Sequence, residues 1–235
     1  RARSPSCPKR IGTMSTPRPD RPLADPRVVE TNTAILFFVG DHVYKLKKAV
    51  DLGFVDQTDR DVRRRSCERE VELNRRLAPD VYLGVLALVD DAGNPVDHVV
   101  DMRRLPDERR LSRCIERGDN VEPALRKVAH DLAALHLAST PDPTHDLLAT
   151  RNAVLQRWSD GFDQLRDLPV DPATRTALAE MEALVGRYLA GRAPLFDERI
   201  GEGWIRDGHG DLQAEDLFVL DDGPRVLDCL EFDER

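Results

Sequence analysis

No run of apolar residues in this chain approaches the ~20 needed for a helix to cross a bilayer, so no membrane-spanning helix is expected. Cysteine is scarce. Cys7, Cys67, Cys114 and Cys229 are scattered without any Cys-x-x-Cys spacing. That pattern excludes a zinc-ribbon-type site and a disulfide framework, and reduced thiols of a cytoplasmic protein are the expectation. Positive charge is not in excess: 35 Lys and Arg face 43 Asp and Glu, for a net charge of −8. Neither nucleic acid nor an anionic membrane is therefore expected as the main partner. Two glycine-rich phosphate signatures are also missing. No Gly-x-Gly-x-x-Gly precedes Ala34, and Gly-x-x-x-x-Gly-Lys-Ser/Thr occurs nowhere.

What is present is enough for a real core. The 235 residues are 40% hydrophobic and 33% charged, the balance of a soluble globular protein with one large domain or two lobes. Residues 1–26 stand apart. They are rich in Pro and Arg, lack the apolar core of a signal peptide, and are expected to form a disordered tail. Met14 is a candidate native start within it.

The first half reads mostly as sheet. Ala34–Val39, the turn Gly40-Asp41 and His42–Lys48 form an expected hairpin, with Val43, Lys45 and Lys47 on one face. Asp61–Leu77 reads as a helix with Cys67, Glu70, Asn74 and Leu77 along one stripe. Val85–Val89 and Val96–Met102 form a second hairpin. A segment near Arg103–Arg113, containing Pro106, can act as a hinge. Beyond it the pattern is helical: Val121–Ala138, the Asn152–Leu168 region, and Pro172–Leu189 behind an Asp171 cap. His136 is expected to pack, and Trp158 and Trp204 to sit in the core or the cleft wall.

Chemistry concentrates near the end, in Asp207-Gly-His-Gly-Asp-Leu-Gln-Ala-Glu-Asp216 and the hairpin leading to Asp228. A loop followed by a tight hairpin can bring Asp211, Asp216 and Asp228 to one cavity. Mg²⁺ takes hard oxygen ligands, commonly one or two carboxylates plus phosphates and waters. Phosphoryl transfer needs such a cation, a base near the acceptor hydroxyl and a cationic side chain on the phosphates. Asp211 is the expected base, with His209 organising the loop. Asp216 and Asp228 are the expected metal ligands. Lys45 is the candidate phosphate lysine, with Val43 on the same face to contact a base and Lys47 as its competitor. Glu70 is its candidate partner, because an inward carboxylate needs a cation. The segment Glu30–Thr33 would have to supply phosphate-binding hydroxyls and amides, chiefly Thr31 and Thr33.

These motifs resemble the aminoglycoside phosphotransferase family of the protein-kinase-like fold. Asp41–Phe54 and Leu227-Asp-Cys-Leu-Glu-Phe232 are similar to an uncharacterised bacterial branch of it, whose members often carry a P-loop kinase-like domain downstream. The resemblance implies a bilobal α+β fold, with an N-lobe over 27–103 and a C-lobe over 104–235. It implies Lys45 on phosphates, Glu70 paired with it, Asp211 as catalytic aspartate, and Asp216 and Asp228 on Mg²⁺. Asp216 departs from the usual Asn, and Cys229-Leu230 from the commoner Phe-Gly type of continuation. The segment after Val96–Met102, with Met102, would meet adenine. The implied cofactors are ATP and Mg²⁺, and the implied acceptor is a small-molecule hydroxyl of unspecified identity. Because the chain stops soon after Asp228, it is expected to be a fragment, inactive or unstable by itself. The competing expectation is a non-catalytic nucleotide-binding module that regulates an attached domain.

Overall fold

The structure, a computed structural model, describes residues 27–53 and 55–231. The expected tail 1–26, with Cys7 and Met14, lies outside the described residues, as do Phe54 and Phe232 of the family-like motifs.

The fold is α+β. An antiparallel sheet of five strands occupies the first half, in the order β1-β2-β3-β5-β4. Its strands are β1 (Arg27–Glu30), β2 (Ala34–Val39), β3 (His42–Lys47), β4 (Tyr82–Val89) and β5 (Pro95–Arg103). The β2–β3 turn is two residues long, and Gly40 takes a φ of 58°, the left-handed conformation such tight turns require. The alternation of β3 buries Val43 and Lys47 on the face that also carries Lys45. Helix α1 (Arg60–Asn74) packs on β4 and β5. Its start is fixed by Asp59, whose carboxylate accepts hydrogen bonds from the Asp61 and Val62 amides. The helix was expected to run on to Leu77, but it ends at Asn74. Pro79 lies just beyond, and a residue preceding proline is disfavoured in the helical region. Leu77 instead joins a cluster with Leu111 and Val128.

The second half is helical: α2 (Leu111–Glu116), α3 (Glu122–Ala138), α4 (Pro143–Leu148), α5 (Arg151–Arg166), α6 (Pro172–Ala190) and α7 (Ala193–Gly201). Asp171 caps α6 through the Ala173 and Thr174 amides, as its position before Pro172 implies. The sequence pattern did not reveal β1, α2, α4 or α7. A hairpin of β6 (Leu217–Leu220) and β7 (Gly223–Val226) follows the helices.

One hydrophobic cluster unites the two halves. Phe38, Val43, Val71, Tyr82, Val100 and Met102 of the sheet side pack with Phe218 and Leu227 of the hairpin. Burial of these side chains fixes the hairpin, and the acids at its ends, under the sheet. Trp158 and Trp204 were expected in the core or the cleft wall, yet both are exposed on the helical half. Trp158 stacks on Phe162 along α5, and the Trp204 indole donates to Glu202.

Candidate functional site

A cavity of about 1040 Å³ opens between the sheet and the hairpin. Its walls include Thr31, Thr33, Val43, Lys45, Met102, Asp211, Asp216 and Asp228. Glu70 lies behind the wall, fully buried. The sequence-derived candidates therefore converge on one place.

The centre is a chain of alternating charges. Lys45 Nζ donates to Glu70 Oε1 at 2.8 Å and to Asp228 Oδ1 at 2.6 Å. Lys47 Nζ donates to the other Glu70 oxygen at 2.6 Å and to Glu231 Oε1 at 2.5 Å. Lys47 is thus a second partner of Glu70 and does not displace Lys45. Burial alone would raise the Glu70 pKa, but Lys45 and Lys47 outweigh it and hold the carboxyl at about 2. Burial likewise opposes charge on Lys45, yet Glu70 and Asp228 keep its pKa well above the ordinary lysine value. Lys48, just past the end of β3, lines the same cavity and pairs with Glu30.

The acidic loop is organised from beneath. His209 is buried, and its Nε2 lies 2.8 Å from the Leu227 carbonyl. The Asp211 amide points at its Nδ1. These partners put the ring proton on Nε2 and give His209 the organising role expected of it. Gly210 adopts a φ of 88°, and a Cβ there would meet Leu230 Cβ at 2.7 Å, so both conformation and space demand glycine. His136, expected to pack, is instead exposed, with its ring edge beside Gly208. Asp211 is exposed, with one carboxylate oxygen held by Gln213 Nε2 at 3.0 Å.

Asp216 sits where burial, then the charges of Asp228 and Asp211, push its pKa up to about 6. Three carboxylates close enough to disturb one another are a place where a cation would be welcome. Among the described residues, no group of three or more His, Cys, Asp or Glu side chains forms a ready-made metal cage. Mg²⁺ needs only one or two carboxylates when phosphates and waters complete its shell. Asp216 and Asp228, which line the cavity, are the carboxylates that could supply them.

Other expected contributors divide. Val43 and Met102 are buried neighbours across β3 and β5 and form an apolar wall of the cavity. Thr31 lines the cavity, but its hydroxyl and amide are engaged with Ala34 in the β1–β2 turn. Its side chain was expected to face phosphates; the turn uses it instead, which leaves Thr33 as the threonine of this loop for that role. At the end of β5, the Arg103 and Arg104 amides donate to the Val81 and Asp41 carbonyls, so neither is free for a base.

The pattern along the sequence had pointed to neither Tyr82 nor Glu231, and it gave Asn74 no role. Asn74 was placed on the same helical stripe as Glu70, one turn beyond it, and that shared inward face was the signal of a role. Tyr82 has no local signal, because the pairing that brings it to the site is long-range.

No family model matches this chain. Uncharacterized protein Rv2004c of Mycobacterium tuberculosis is 39% identical to it over 219 residues, covering 93% of this chain and 44% of that protein. Uncharacterized protein Mb2027c of Mycobacterium bovis gives the same identity over the same shares. The chain therefore spans less than half the length of the curated relatives it matches.

Proposed function

We propose that this cavity is the nucleotide site of a phosphotransferase of the protein-kinase-like, aminoglycoside-phosphotransferase type, acting with ATP and Mg²⁺ on a hydroxyl of a small molecule. One observation carries the reading. A lysine held by a buried glutamate faces Asp228 at 2.6 Å, in the same cavity as Asp211 and Asp216. A phosphate cation, metal carboxylates and a candidate base are the parts phosphoryl transfer needs. The two halves would be the two lobes, and the apolar wall of Val43 and Met102 would receive the base.

In this reading Lys45, kept charged and oriented by Glu70, holds phosphate oxygens. Asp216 and Asp228 would hold Mg²⁺, which when bound neutralises charge on the phosphates. Asp211 orients the acceptor hydroxyl and takes its proton as the oxygen attacks the γ-phosphorus. The bond from that phosphorus to the β–γ bridging oxygen breaks, and ADP leaves. A P-loop domain, if the full-length protein has one, would fall in the more than half of the relatives' length outside the match.

A second reading, a non-catalytic nucleotide-binding module, draws on the commitment of Thr31 to its own turn and on Asp216 in place of the usual Asn. Asp211→Ala separates the two. The phosphotransferase reading expects nucleotide binding within about twofold of wild type and transfer lowered by ~10³ or more, by analogy with losing a general base and its positioning. Transfer that survives the substitution, or a wild type that binds nucleotide without transferring phosphate to any hydroxyl compound, counts against it.

A further inference from the structure

Asp228 is the one non-glycine residue with positive φ among the described residues, at 65°. Such a conformation is uncommon for a residue with a Cβ and persists where its surroundings over-determine it. Two side chains from the sheet half do so here. Tyr82 Oη, at the start of β4, accepts a hydrogen bond from the Asp228 amide at 3.1 Å. Asn74 Oδ1, at the end of α1, accepts one from the next amide, Cys229, at 2.9 Å. Asn74 then donates from Nδ2 to the Glu70 carbonyl at 2.9 Å, tying this clamp to the helix turn that carries Glu70. Tyr82 and Asn74 are both buried, at 1% and 0% exposure, whereas the Asp228 carboxylate emerges into the cavity. The side-chain oxygens of two buried residues are thus spent on consecutive backbone amides.

We infer that Tyr82 and Asn74 are positioning residues that fix the Asp228–Cys229 backbone in its left-handed turn, so that the Asp228 carboxylate points at the cation site. The inference rests on the phosphotransferase reading for the identity of the cation and on the geometry alone for the clamp. Asn74 is not among the residues that line the cavity, and Tyr82 lines it with its hydroxyl already engaged by the Asp228 amide. Their effect reaches the site through the direction of Asp228, and through Asn74 it is coordinated with Glu70.

Tyr82→Phe is the informative substitution, because it removes one oxygen and keeps the ring in the core. Asn74→Asp keeps an acceptor for the Cys229 amide, and Asn74→Ala does not. Two measurements on the full chain decide: hydrogen exchange at the Asp228 and Cys229 amides, and the Mg²⁺ concentration for half-maximal nucleotide binding. In Tyr82→Phe we expect exchange at Asp228 to quicken about tenfold and the Mg²⁺ requirement to rise about fivefold, the size of one ordinary hydrogen bond lost. Nucleotide binding without Mg²⁺ should not change. Asn74→Ala should quicken exchange at Cys229, and Asn74→Asp should restore it. Wild-type exchange and an unchanged Mg²⁺ requirement in Tyr82→Phe would overturn the inference. So would an equal loss of binding with and without Mg²⁺, the mark of a merely structural role. A wild type whose nucleotide binding ignores Mg²⁺ overturns the metal reading before any substitution is made, and so is told apart from failure of the clamp.

Discussion

The Lys45 ammonium lies 2.6 Å from the Asp228 carboxylate, joining the third strand to the residue that follows the last hairpin. A cationic side chain therefore pairs with one of the proposed metal ligands. Lys45→Met should weaken nucleotide binding by at least tenfold, about 1.4 kcal/mol, while divalent cation binding alone is kept or strengthened. Calorimetry with Mg·ATP and with Mn²⁺ alone reads the two effects separately. Equal weakening of both would argue that Lys45 only supports the fold.

Lys47 should behave differently. It is 4% exposed and bridges the buried Glu70 and Glu231. Removing one partner of a buried pair strands the charge left behind, at a cost of about 3 kcal/mol or more. Lys47→Met is thus expected to lower the urea midpoint clearly more than Lys45→Met does. The reverse order would place the structural lysine at position 45.

Acid should unlock the same cluster. Glu70 is held at about 2 against an ordinary value of 4.5. A lowered folded-state pKa means the unfolded chain binds the proton more readily. Its contribution is complete above pH ~4.5 and is lost as pH falls toward ~2. Unfolding monitored between pH 5 and 2 should lose a few kcal/mol through this window. In Glu70→Gln the same window should be flatter, on a protein less stable at pH 7.

Asp216 has the opposite sign. With its pKa raised to about 6, chiefly by burial, the folded protein holds a proton that the unfolded chain would release. The ionised group therefore costs stability above pH ~6, and stability recovers as pH falls from 6 toward 3.8. Asp216→Asn should stabilise the ligand-free protein at pH 8 by about 1 kcal/mol, discounted for partial solvent screening. It should also remove the loss of Mg²⁺ affinity below pH 6 that the raised Asp216 pKa predicts for wild type. Identical melting curves for the two proteins at pH 8 would contradict this.

The sequence made the local parts of the site legible. Alternation along β3 put Lys45 and Lys47 on one face, the helical period put Glu70 inward, and the acids at 211, 216 and 228 bracket a hairpin with a clear turn signal. Long-range pairing was not legible. Nothing near Tyr82 indicates that its hydroxyl meets the Asp228 amide, and nothing near Lys47 indicates that Glu231 returns to it. Of the short elements β1, α2, α4 and α7, α4 had a local signal that was passed over, since Asp142 before Pro143 caps it as Asp171 before Pro172 caps α6. The two tryptophans misled because large aromatic side chains usually favour burial, whereas here both lie on the outside of the helical half.

The most direct test is calorimetric titration of the protein with ATP, with and without Mg²⁺, alongside Asp228→Ala. The account predicts saturable binding strengthened by Mg²⁺, with the Mg²⁺ enhancement abolished in Asp228→Ala. No nucleotide binding by the folded wild type, or a Mg²⁺ enhancement untouched by loss of Asp228, would contradict it.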